Sequence, residues 1–478
     1  MKLSRFNLVT RAISEPSKGL LYNTLQDHRI LFDDTQINIE SLLHKISNKF
    51  ILNDSELECA EQLKEIGIVL DDEVDEIKIF EQWYNDKIRY RNDLMQVTIL
   101  PAMNCNLACH YCFENEVRQN GLMKPEIVEQ TISYLHHKLK EVRPKNFHLV
   151  FFGGEPLLHP KAIEKITKEV SALCKNMAIE FEMGMVSNGV LLREEFVNEL
   201  VPYGWKWIKI TFDGDKDQHD HKRVKHDGKG TFDIIYDNLS RTAGKLKIAI
   251  GGNFDEQNYD SMYSLVKRLK KSPFGEQIFV ARFKPIMKIN SALATQREGK
   301  ITASCEVSSF SKEQVKQIFD LKQHTAKVGL SIDERPDIGP CEFHQAYSMT
   351  IGPDGNIYKC PAFAGIKNLA AGHVSEVSFN QAGKDQITFE KWDEECSSCA
   401  YLPNCVGGCR FNSINRTGDI KTKSCEYNYL VTSTENYMQN HLKQMMAEEN
   451  ANSLSQNPPP SLTPSTEQRD SPQIQQLI

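Results

Sequence analysis

The length, composition and charge of this chain are typical of a soluble globular protein. It has 478 residues, 40% of them hydrophobic, and a formal net charge of −7, so we expect two or three domains. The mild acidity provides no basic stripe for nucleic acid and no polybasic patch for a membrane surface. No apolar run approaches the length that spans a bilayer, and we expect neither nucleic acid nor a membrane as a partner.

Residues 1–92 predict a small α+β domain. Short strands are expected at residues 6–10, 19–24 and 29–32. A helix should follow, because four apolar residues recur at helical spacing: Ile39, Leu42, Leu43 and Ile46. A second helix is expected to begin at residues 54–55, with Ser55 and Glu58 spaced as a capping box, and to end at Gly67.

Three cysteines lie on one short loop. Cys105, Cys109 and Cys112 follow an apolar run at residues 97–100 that predicts a strand. Three thiolates can hold a four-iron cluster and leave one iron without a protein ligand. That open iron can chelate the amino nitrogen and carboxylate of S-adenosylmethionine (SAM) and pass it one electron. A zinc knuckle is the alternative, but structural zinc takes four ligands and no fourth follows nearby.

With Tyr111 directly before the third cysteine, this loop resembles the signature of the radical SAM enzymes. The resemblance implies reductive cleavage of SAM to a 5′-deoxyadenosyl radical, with the electron supplied by a donor such as flavodoxin or ferredoxin. It also implies that the three cysteines hold a [4Fe-4S] cluster and that Tyr111 contacts the adenine of SAM.

A second segment of the resemblance is Gly153-Gly154-Glu155-Pro156, directly after a strand expected at residues 147–152. Two glycines at a strand end let the backbone approach a ligand closely. In the family this segment meets the methionine amino group of SAM through backbone atoms. A lone segment of this kind would be an ordinary turn, but this one follows both the cysteine loop and a buried parallel strand.

Two further strands end in polar residues that the resemblance assigns to SAM. The strand at residues 180–189 carries Ser187 and Asn188 at its end, which the family places against the ribose and the methionine carboxylate. Arg223 follows the strand at residues 207–212, and the resemblance gives its bidentate guanidinium the SAM carboxylate. A simple turn is the alternative for Ser187 and Asn188, and a surface arginine is the alternative for Arg223.

The central part of the chain alternates strands and helices. Helices are expected at residues 125–140 and 160–175, and further strands at residues 247–250 and 277–280. Repeated strand–helix units form a parallel sheet with right-handed crossovers. About six such units in residues 93–300 predict an α/β fold, a partial (β/α)6 barrel of TIM type, with the chemistry at the carboxyl ends of its strands.

Seven cysteines occur together in the C-terminal part: Cys341, Cys360, Cys396, Cys399, Cys405, Cys409 and Cys425. Their spacing is similar to that of the SPASM domain, an auxiliary domain of radical enzymes that modify peptides and proteins, which we expect at residues 301–445. The resemblance implies two auxiliary [4Fe-4S] clusters, and so three clusters in all. A disulfide framework or a pair of zinc sites is the alternative. A chain without a secretory signal predicts a cytoplasmic protein with reduced thiols, which argues against disulfides.

The resemblance also implies how these cysteines divide. Four would hold the outer cluster: Cys396, Cys399, Cys405 and Cys425. Cys341, Cys360 and Cys409 would hold the inner cluster, nearer the barrel, which is then one thiolate short. Either that site is open to a substrate group, or Cys305 or a non-cysteine ligand completes it.

The N-terminal end of the chain predicts a folded recognition module, and the C-terminal end predicts a disordered tail. The order of strands and helices in residues 1–92 resembles the leader-peptide recognition modules of peptide maturases, which add the leader as a strand to a sheet edge. A structural N-terminal extension is the alternative. Residues 446–478 are rich in proline, serine and glutamine with few large apolar side chains, and they predict a disordered tail.

Taken together, the chain resembles radical SAM/SPASM maturases of ribosomally made peptides. The expected reaction removes hydrogen from a precursor peptide with a leader and closes a thioether, carbon–carbon or other crosslink. An anaerobic sulfatase maturase, which makes formylglycine, is a second interpretation. In that group an aspartate, the proposed base, follows the second SPASM cysteine, whereas Pro361 follows Cys360 here. A noncatalytic iron–sulfur sensor or scaffold is the third, and the sequence assigns no general base.

Overall fold

A computed structural model describes residues 1–35, 37–112, 121–286, 310–333, 339–388 and 392–454. These residues form an N-terminal α+β unit, a central parallel sheet covered by helices, and a C-terminal region of short strands and helices. Cys305 and the chain after Leu454 lie outside the described residues.

The N-terminal unit is built on a small antiparallel sheet. Its strands are β2 (Asn7–Arg11), β3 (Lys18–Asn23) and β4 (His28–Asp33), in the order β2-β3-β4, while β1 (Lys2–Leu3) pairs with β5 (Val69–Leu70). Its helices are α1 (Ile39–Ser47), α2 (Asp54–Glu65) and α3 (Glu76–Tyr84), the last continued by a π-helical turn at Asn85–Arg89. The three strands and two helices expected from the sequence are confirmed.

Packing explains why these elements form. The four apolar residues of the predicted stripe in α1 are all buried, and they pack with Leu21 and Phe32 of the sheet. The expected capping box of α2 is wrong, because Asn53 accepts the bond from the Glu56 amide and Glu56 completes the box. The helix begins at Asp54, so Ser55 already lies inside its first turn.

The central part is the predicted partial barrel. Six strands pair in parallel in chain order: β6 (Leu94–Ala102), β7 (Asn146–Gly153), β8 (Glu180–Ser187), β9 (Trp205–Thr211), β10 (Lys247–Phe254) and β11 (Ile278–Pro285). The helices between them are α4 (Pro125–Val142), α5 (Pro160–Met177), α6 (Glu194–Leu200), α7 (Lys216–Lys222), α8 (Phe232–Arg241) and α9 (Tyr259–Lys270). The α/β class and the six-stranded barrel are confirmed.

The strands carry two apolar faces, as expected of a parallel sheet that is covered on both sides. The larger core lies between the strands and the helices. A smaller cluster of Val150, Trp207, Ala249 and Val280 comes from four different strands. Trp207 fits there because its neighbour across the pair is Gly184, where a Cβ would lie 2.1 Å from the indole ring.

The C-terminal region extends the barrel sheet. Helix α10 (Lys312–Lys327) packs against β11 and α9, so we propose that the barrel ends after α10 and not at residue 300. Strand β12 (Met349–Ile351) pairs in parallel with β6, and β13 (Asn356–Tyr358) and β14 (Gly372–His373) follow in antiparallel order. Short helices follow: α11 (Gln381–Ile387), α12 (Glu394–Ser397), α13 (Leu402–Cys405) and α14 (Arg410–Thr417).

The last helix, α15 (Tyr427–Leu454), returns to the N-terminal sheet. Its buried residues Tyr437, Leu442 and Met446 pack against Leu20 and Tyr22 of β3. The helix continues past the expected tail boundary at residue 446 as far as Leu454, so we propose that the tail begins after Leu454. Within the described ranges, α15 and every other helix are too short or too polar to cross a membrane.

Candidate active site and cysteine groups

The cysteine loop follows β6 at the carboxyl end of the barrel strands. Backbone bonds hold it against the segment after α7: Ala108 N donates to Val224 O at 2.8 Å, and the His226 ring lies 3.0 Å from Cys105 O. The Cys109 side chain is buried, while those of Cys105 and Cys112 are partly exposed. The loop is thus fixed at both sides and presents its thiols at the strand ends, where a barrel enzyme carries its chemistry.

The two glycines at the end of β7, Gly153 within the strand and Gly154 after it, allow the chain before Cys105 to approach closely. A Cβ on Gly154 would lie 2.3 Å from Met103 O and 2.4 Å from Asn104 O, which real side chains do not tolerate. The backbone N–H of Glu155 donates to Asn104 O at 2.8 Å. The glycines predicted to meet SAM therefore also shape the base of the cysteine loop.

Glu155 connects two strand ends to each other. Its fully buried carboxylate accepts bonds from Ser187 Oγ and Asn188 N, both at 2.8 Å, and from Leu157 N at 3.0 Å. Burial raises the pKa of Glu155, and these three donors act in the opposite direction. Three residues that the resemblance assigned to SAM thus bond to one another in the structure.

Asn188 connects this hydrogen-bond network to the cysteine loop. Its side-chain nitrogen lies 2.7 Å from Asn106 Oδ1 and 3.6 Å from Cys105 Sγ. Its side-chain oxygen accepts the Val190 amide at 3.0 Å. Glu155 is accordingly a positioning residue, since it fixes Asn188, which in turn contacts the first thiol.

A second network surrounds Tyr111 and Arg223. The Tyr111 hydroxyl donates to the buried Asp213 carboxylate and accepts from Arg223 Nη1 at 2.7 Å. Asn253 N donates to the same carboxylate at 2.7 Å, and its side-chain nitrogen lies 3.4 Å from the Tyr111 hydroxyl. The Arg223 side chain is 12% exposed and lies 3.5 Å from Asp213, which argues against the surface-arginine alternative.

Sequence reasoning missed Asp213 and Asn253 as site residues. Asp213 follows β9 and Asn253 lies near the end of β10, so both are polar residues at the carboxyl ends of barrel strands. That position was the available signal. Lys222 was also missed, and its fully buried ammonium pairs with Asp255 at 2.6 Å beside the same strand ends.

The residues at this end of the barrel fit SAM and a cluster. The buried Nε of Arg223 has no hydrogen-bond partner within the part of the chain that the structure describes, and a carboxylate would supply one. Among those residues no three His, Cys, Asp or Glu side chains converge as they would around a single metal ion. A four-iron cube spreads its thiolates over separate corners, a wider arrangement than a single ion requires.

The inner group of C-terminal cysteines is brought together by the fold. Cys341, Cys360 and Cys409 all pack against one apolar cluster that includes Phe343 and Phe363. Burial raises the pKa of the Cys360 thiol well above its ordinary value, and the nearby charges of Glu342, Cys409 and Cys341 raise that pKa further. The three cysteines are therefore neighbours, as the resemblance implied.

The outer group is a second set of neighbours. Burial raises the pKa of Cys405 to about 12, and the thiolates of Cys396, Cys425 and Cys399 add to that shift. Burial likewise raises the pKa of Cys396 to about 12. The seven cysteines thus fall into the two expected groups, and cluster binding by each group stays a prediction.

Glu342 lies beside the inner group. It directly follows Cys341, it is buried, and its charge raises the pKa of both Cys341 and Cys360 after the larger effect of burial. The buried Lys359 ammonium donates to Gln345 O and Ser348 O, and burial lowers the pKa of Lys359 to about 7. A carboxylate therefore lies beside the inner cysteines, whereas Cys305 falls outside the described ranges.

Comparison with known proteins gives matches both in sequence and in fold. Residues 99–269 match the Radical SAM superfamily. The chain is 21% identical over 351 residues to a cysteine-type anaerobic sulfatase-maturating enzyme of Clostridium novyi, covering 66% of this chain and 88% of that protein. It is 24% identical over 322 residues to the mycofactocin maturase MftC of Mycobacterium tuberculosis, covering 64% and 75%.

Among solved structures, native anSMEcpe with bound AdoMet and the Cp18Cys peptide superposes with a TM-score of 0.56 at 18% identity. The match covers 75% of this chain and 99% of that one. At this identity the likeness concerns the fold, and it agrees with the parallel barrel and the C-terminal extension described above.

Replacing Asp213 by asparagine should weaken SAM binding without removing iron from the cysteine loop. The change leaves Arg223 buried without its counter-charge, which costs about 3 kcal/mol in comparable buried pairs. We expect the dissociation constant for SAM, measured by equilibrium dialysis on reconstituted protein, to rise at least about tenfold. The control is Asp227→Asn, an exposed carboxylate paired with Lys229. Equal SAM affinity of the two variants would contradict the proposed role of the network.

Proposed function

Since this chain is an enzyme of the radical SAM superfamily, we propose that it matures a ribosomally made precursor peptide by closing a crosslink within it. The enzyme class also excludes the noncatalytic sensor or scaffold. The observation that carries the proposal is the joining of three parts: an N-terminal sheet with an open edge, a barrel with three loop cysteines, and two further cysteine groups. We place the reaction in the cytoplasm, where thiols stay reduced.

Different barrel residues would bind or position different parts of SAM. When bound, SAM and a cluster at Cys105, Cys109 and Cys112 supply a carbon radical that removes hydrogen from the substrate. Arg223 would hold the SAM carboxylate through its Nε, which has no hydrogen-bond partner among the described residues. Asp213 fixes Arg223, and Tyr111 is fixed by both, so the arginine and the aromatic ring keep one relative position.

The C-terminal groups would hold the auxiliary clusters, whose chemistry is electron transfer. The outer group would supply four thiolates and the inner group three, with the Glu342 carboxylate as candidate for the remaining position. A protein electron donor such as flavodoxin or ferredoxin would deliver the electron that activates SAM. The inner group lies beside β12 and β13, which are joined to the barrel sheet, so its position relative to the barrel is fixed.

The N-terminal sheet would recruit the leader. Strand β4 pairs only with β3 among the described residues. Asp34 N donates to Ser17 O at 2.9 Å, and the antiparallel alternation then turns the Leu31 amide away from β3. An added strand would find this amide and its neighbours unused by the sheet.

Replacing Leu31 by proline tests strand addition at β4. Proline removes the outward N–H yet leaves the bonds to β3 in place, because Leu31 does not donate to that strand. Binding of a precursor peptide encoded beside the gene, measured by fluorescence anisotropy, should weaken about tenfold or more relative to Leu31→Ala. The alanine variant loses the same side-chain packing and keeps the amide. Similar binding by both variants would refute leader capture at this edge.

Formation of formylglycine is the second candidate function, and the match to the Clostridium novyi enzyme favours it. Against it stands the residue after Cys360, where the aspartate of that group is replaced by Pro361. Pro361 begins a short 3₁₀ helix, Pro361–Phe363, and offers no proton-accepting side chain.

Analysis of the product separates the two reactions. Crosslinking removes two hydrogens per bond and leaves no aldehyde, whereas oxidation of serine to formylglycine removes two hydrogens and leaves one. The product is therefore treated with a carbonyl-reactive hydrazide and fragmented by tandem mass spectrometry. We expect no hydrazone and a missing fragment series between two linked residues. A hydrazone on a single serine or cysteine, with a complete fragment series, would decide for the sulfatase maturase.

A further inference from the structure

A groove separates helices α10 and α15 on the outside of the barrel. It has a volume of about 590 Å³, and its walls include three lysines, Lys322, Lys327 and Lys443, while none of the described residues that line it is acidic. This local excess of positive charge contrasts with the formal charge of −7 of the whole chain.

The sequence of the two helices explains why the groove stays open. On α15 the groove residues Ser433, Asn436 and Asn440 recur at spacings of three and four, so they share one face of the helix. This face is polar and cannot interlock with α10 as two apolar faces would. The helices meet at one end of the groove, where the ring of Phe319, which also lines the groove, lies 5.9 Å from that of Tyr429.

Ser433 gives a second indication of a ligand. Its side chain is 1% exposed, and its hydroxyl has no hydrogen-bond partner in the described part of the chain. A buried hydroxyl without a partner costs free energy, which a ligand with polar groups would recover. Asn440 on the same wall provides donors and an acceptor suited to a peptide backbone, and Asn436 provides its side-chain oxygen and one N–H, since its Nδ2 already donates to Thr432 O at 2.7 Å.

The groove adjoins the strand to which we assign the leader. Tyr437 lines the groove, and its hydroxyl accepts a bond from Arg29 Nη1 of β4 at 2.9 Å. The ring of Tyr437 also packs on Tyr22 of β3 with 5.6 Å between centroids. A peptide strand added at β4 would therefore have the groove next to it.

We propose that this groove binds an acidic segment of the peptide substrate, adjacent to the part that adds to β4. The inference rests on the proposed function, since it assumes a peptide substrate. Carboxylates of the segment pair with Lys327 and Lys443, and its backbone bonds to the asparagines and to Ser433. The contacts are largely electrostatic, so they select acidic segments and speed their association.

The test uses the full chain and a fluorescein-labelled peptide of alternating glutamate and serine. We expect binding by anisotropy, weakened by added salt because the lysines are close to solvent. The double variant Lys327→Glu, Lys443→Glu should bind at least about tenfold more weakly. The matched control is Lys316→Glu, an exposed lysine of the same helix that does not line the groove, and it should bind as the unchanged protein does.

A second variant, Ser433→Ala, removes only the unpartnered hydroxyl. It should weaken binding of the peptide and leave the thermal stability unchanged, because no internal bond is lost. Unchanged binding by the lysine double variant would overturn the proposal, as would equally tight binding of a peptide of alternating lysine and serine. Self-association of the unchanged protein in sedimentation, abolished by the lysine double variant, would instead assign the groove to a second copy of this chain.

Failure of the groove proposal can be distinguished from failure of the proposed maturase function. Crosslinking of a precursor whose acidic residues are replaced by serine, at saturating peptide concentration, reports on the reaction without the groove. If crosslinks form equally well in both precursors at low concentration, the groove proposal fails and the maturase function stands. If the acidic precursor is preferred at low concentration only, the groove proposal is supported.

Discussion

The arrangement of the candidate active site depends on the buried carboxylate of Glu155. The backbone N–H of Glu155 donates to Asn104 O directly before the first cysteine. The carboxylate of Glu155 accepts bonds from Ser187 and Asn188 at the end of the next strand. Asn188 then contacts Cys105. A carboxylate with three donors in a buried position is costly to move, because any displacement would leave a buried polar group unpaired. The cysteine loop is therefore held rigidly against two central strands, β7 and β8.

The C-terminal cysteine groups are also held rigidly, because a strand of their region pairs with the barrel sheet. Strand β12 extends the barrel sheet by pairing Met349 with Val97 and Ile351 with Ile99 of β6. The strand that carries the first cysteine loop is thus hydrogen-bonded to the strand that follows Cys341. The shared sheet therefore holds the inner cysteine group at a fixed position relative to the cysteine loop. The N-terminal unit is attached as well, since Phe80 and Tyr84 pack their rings on Trp392 near the outer group.

The sequence predicted the parts of the fold that depend on local pattern. The six barrel strands, the three N-terminal strands and the buried stripe of α1 follow from apolar periodicity, which the core preserves. The packing of α15 on the N-terminal sheet could not be predicted in this way, because Tyr437 and Leu442 contact residues more than four hundred positions earlier in the chain. The cap of α2 was misplaced by two residues for a simpler reason: Asn53 and Ser55 both qualify as caps, and only the start of the helix decides between them.

The candidate site, like the fold, was predicted from the sequence only in part. Spacing marked the cysteines, and resemblance divided them into groups that the fold brings together. Asp213 and Asn253 were not identified because their role depends on a tertiary neighbour, Tyr111, that lies more than one hundred residues away along the chain. Glu155, Ser187 and Asn188 were assigned to SAM, but in the structure they bond first to each other. Which atoms remain for a ligand is a property of packing, and Arg223 Nε is the clearest of them.

The central claim is that three separate cysteine groups each hold a four-iron cluster. Iron and sulfide content, together with Mössbauer spectra, should be measured after anaerobic reconstitution of the unchanged chain and of three variants, each with one group replaced by alanine. We expect about twelve irons per chain, and about four fewer in each variant, with the other two spectral components unchanged. A value near four irons in the unchanged chain, or loss of all iron when only Cys341, Cys360 and Cys409 are replaced while the fold is intact, would contradict the account.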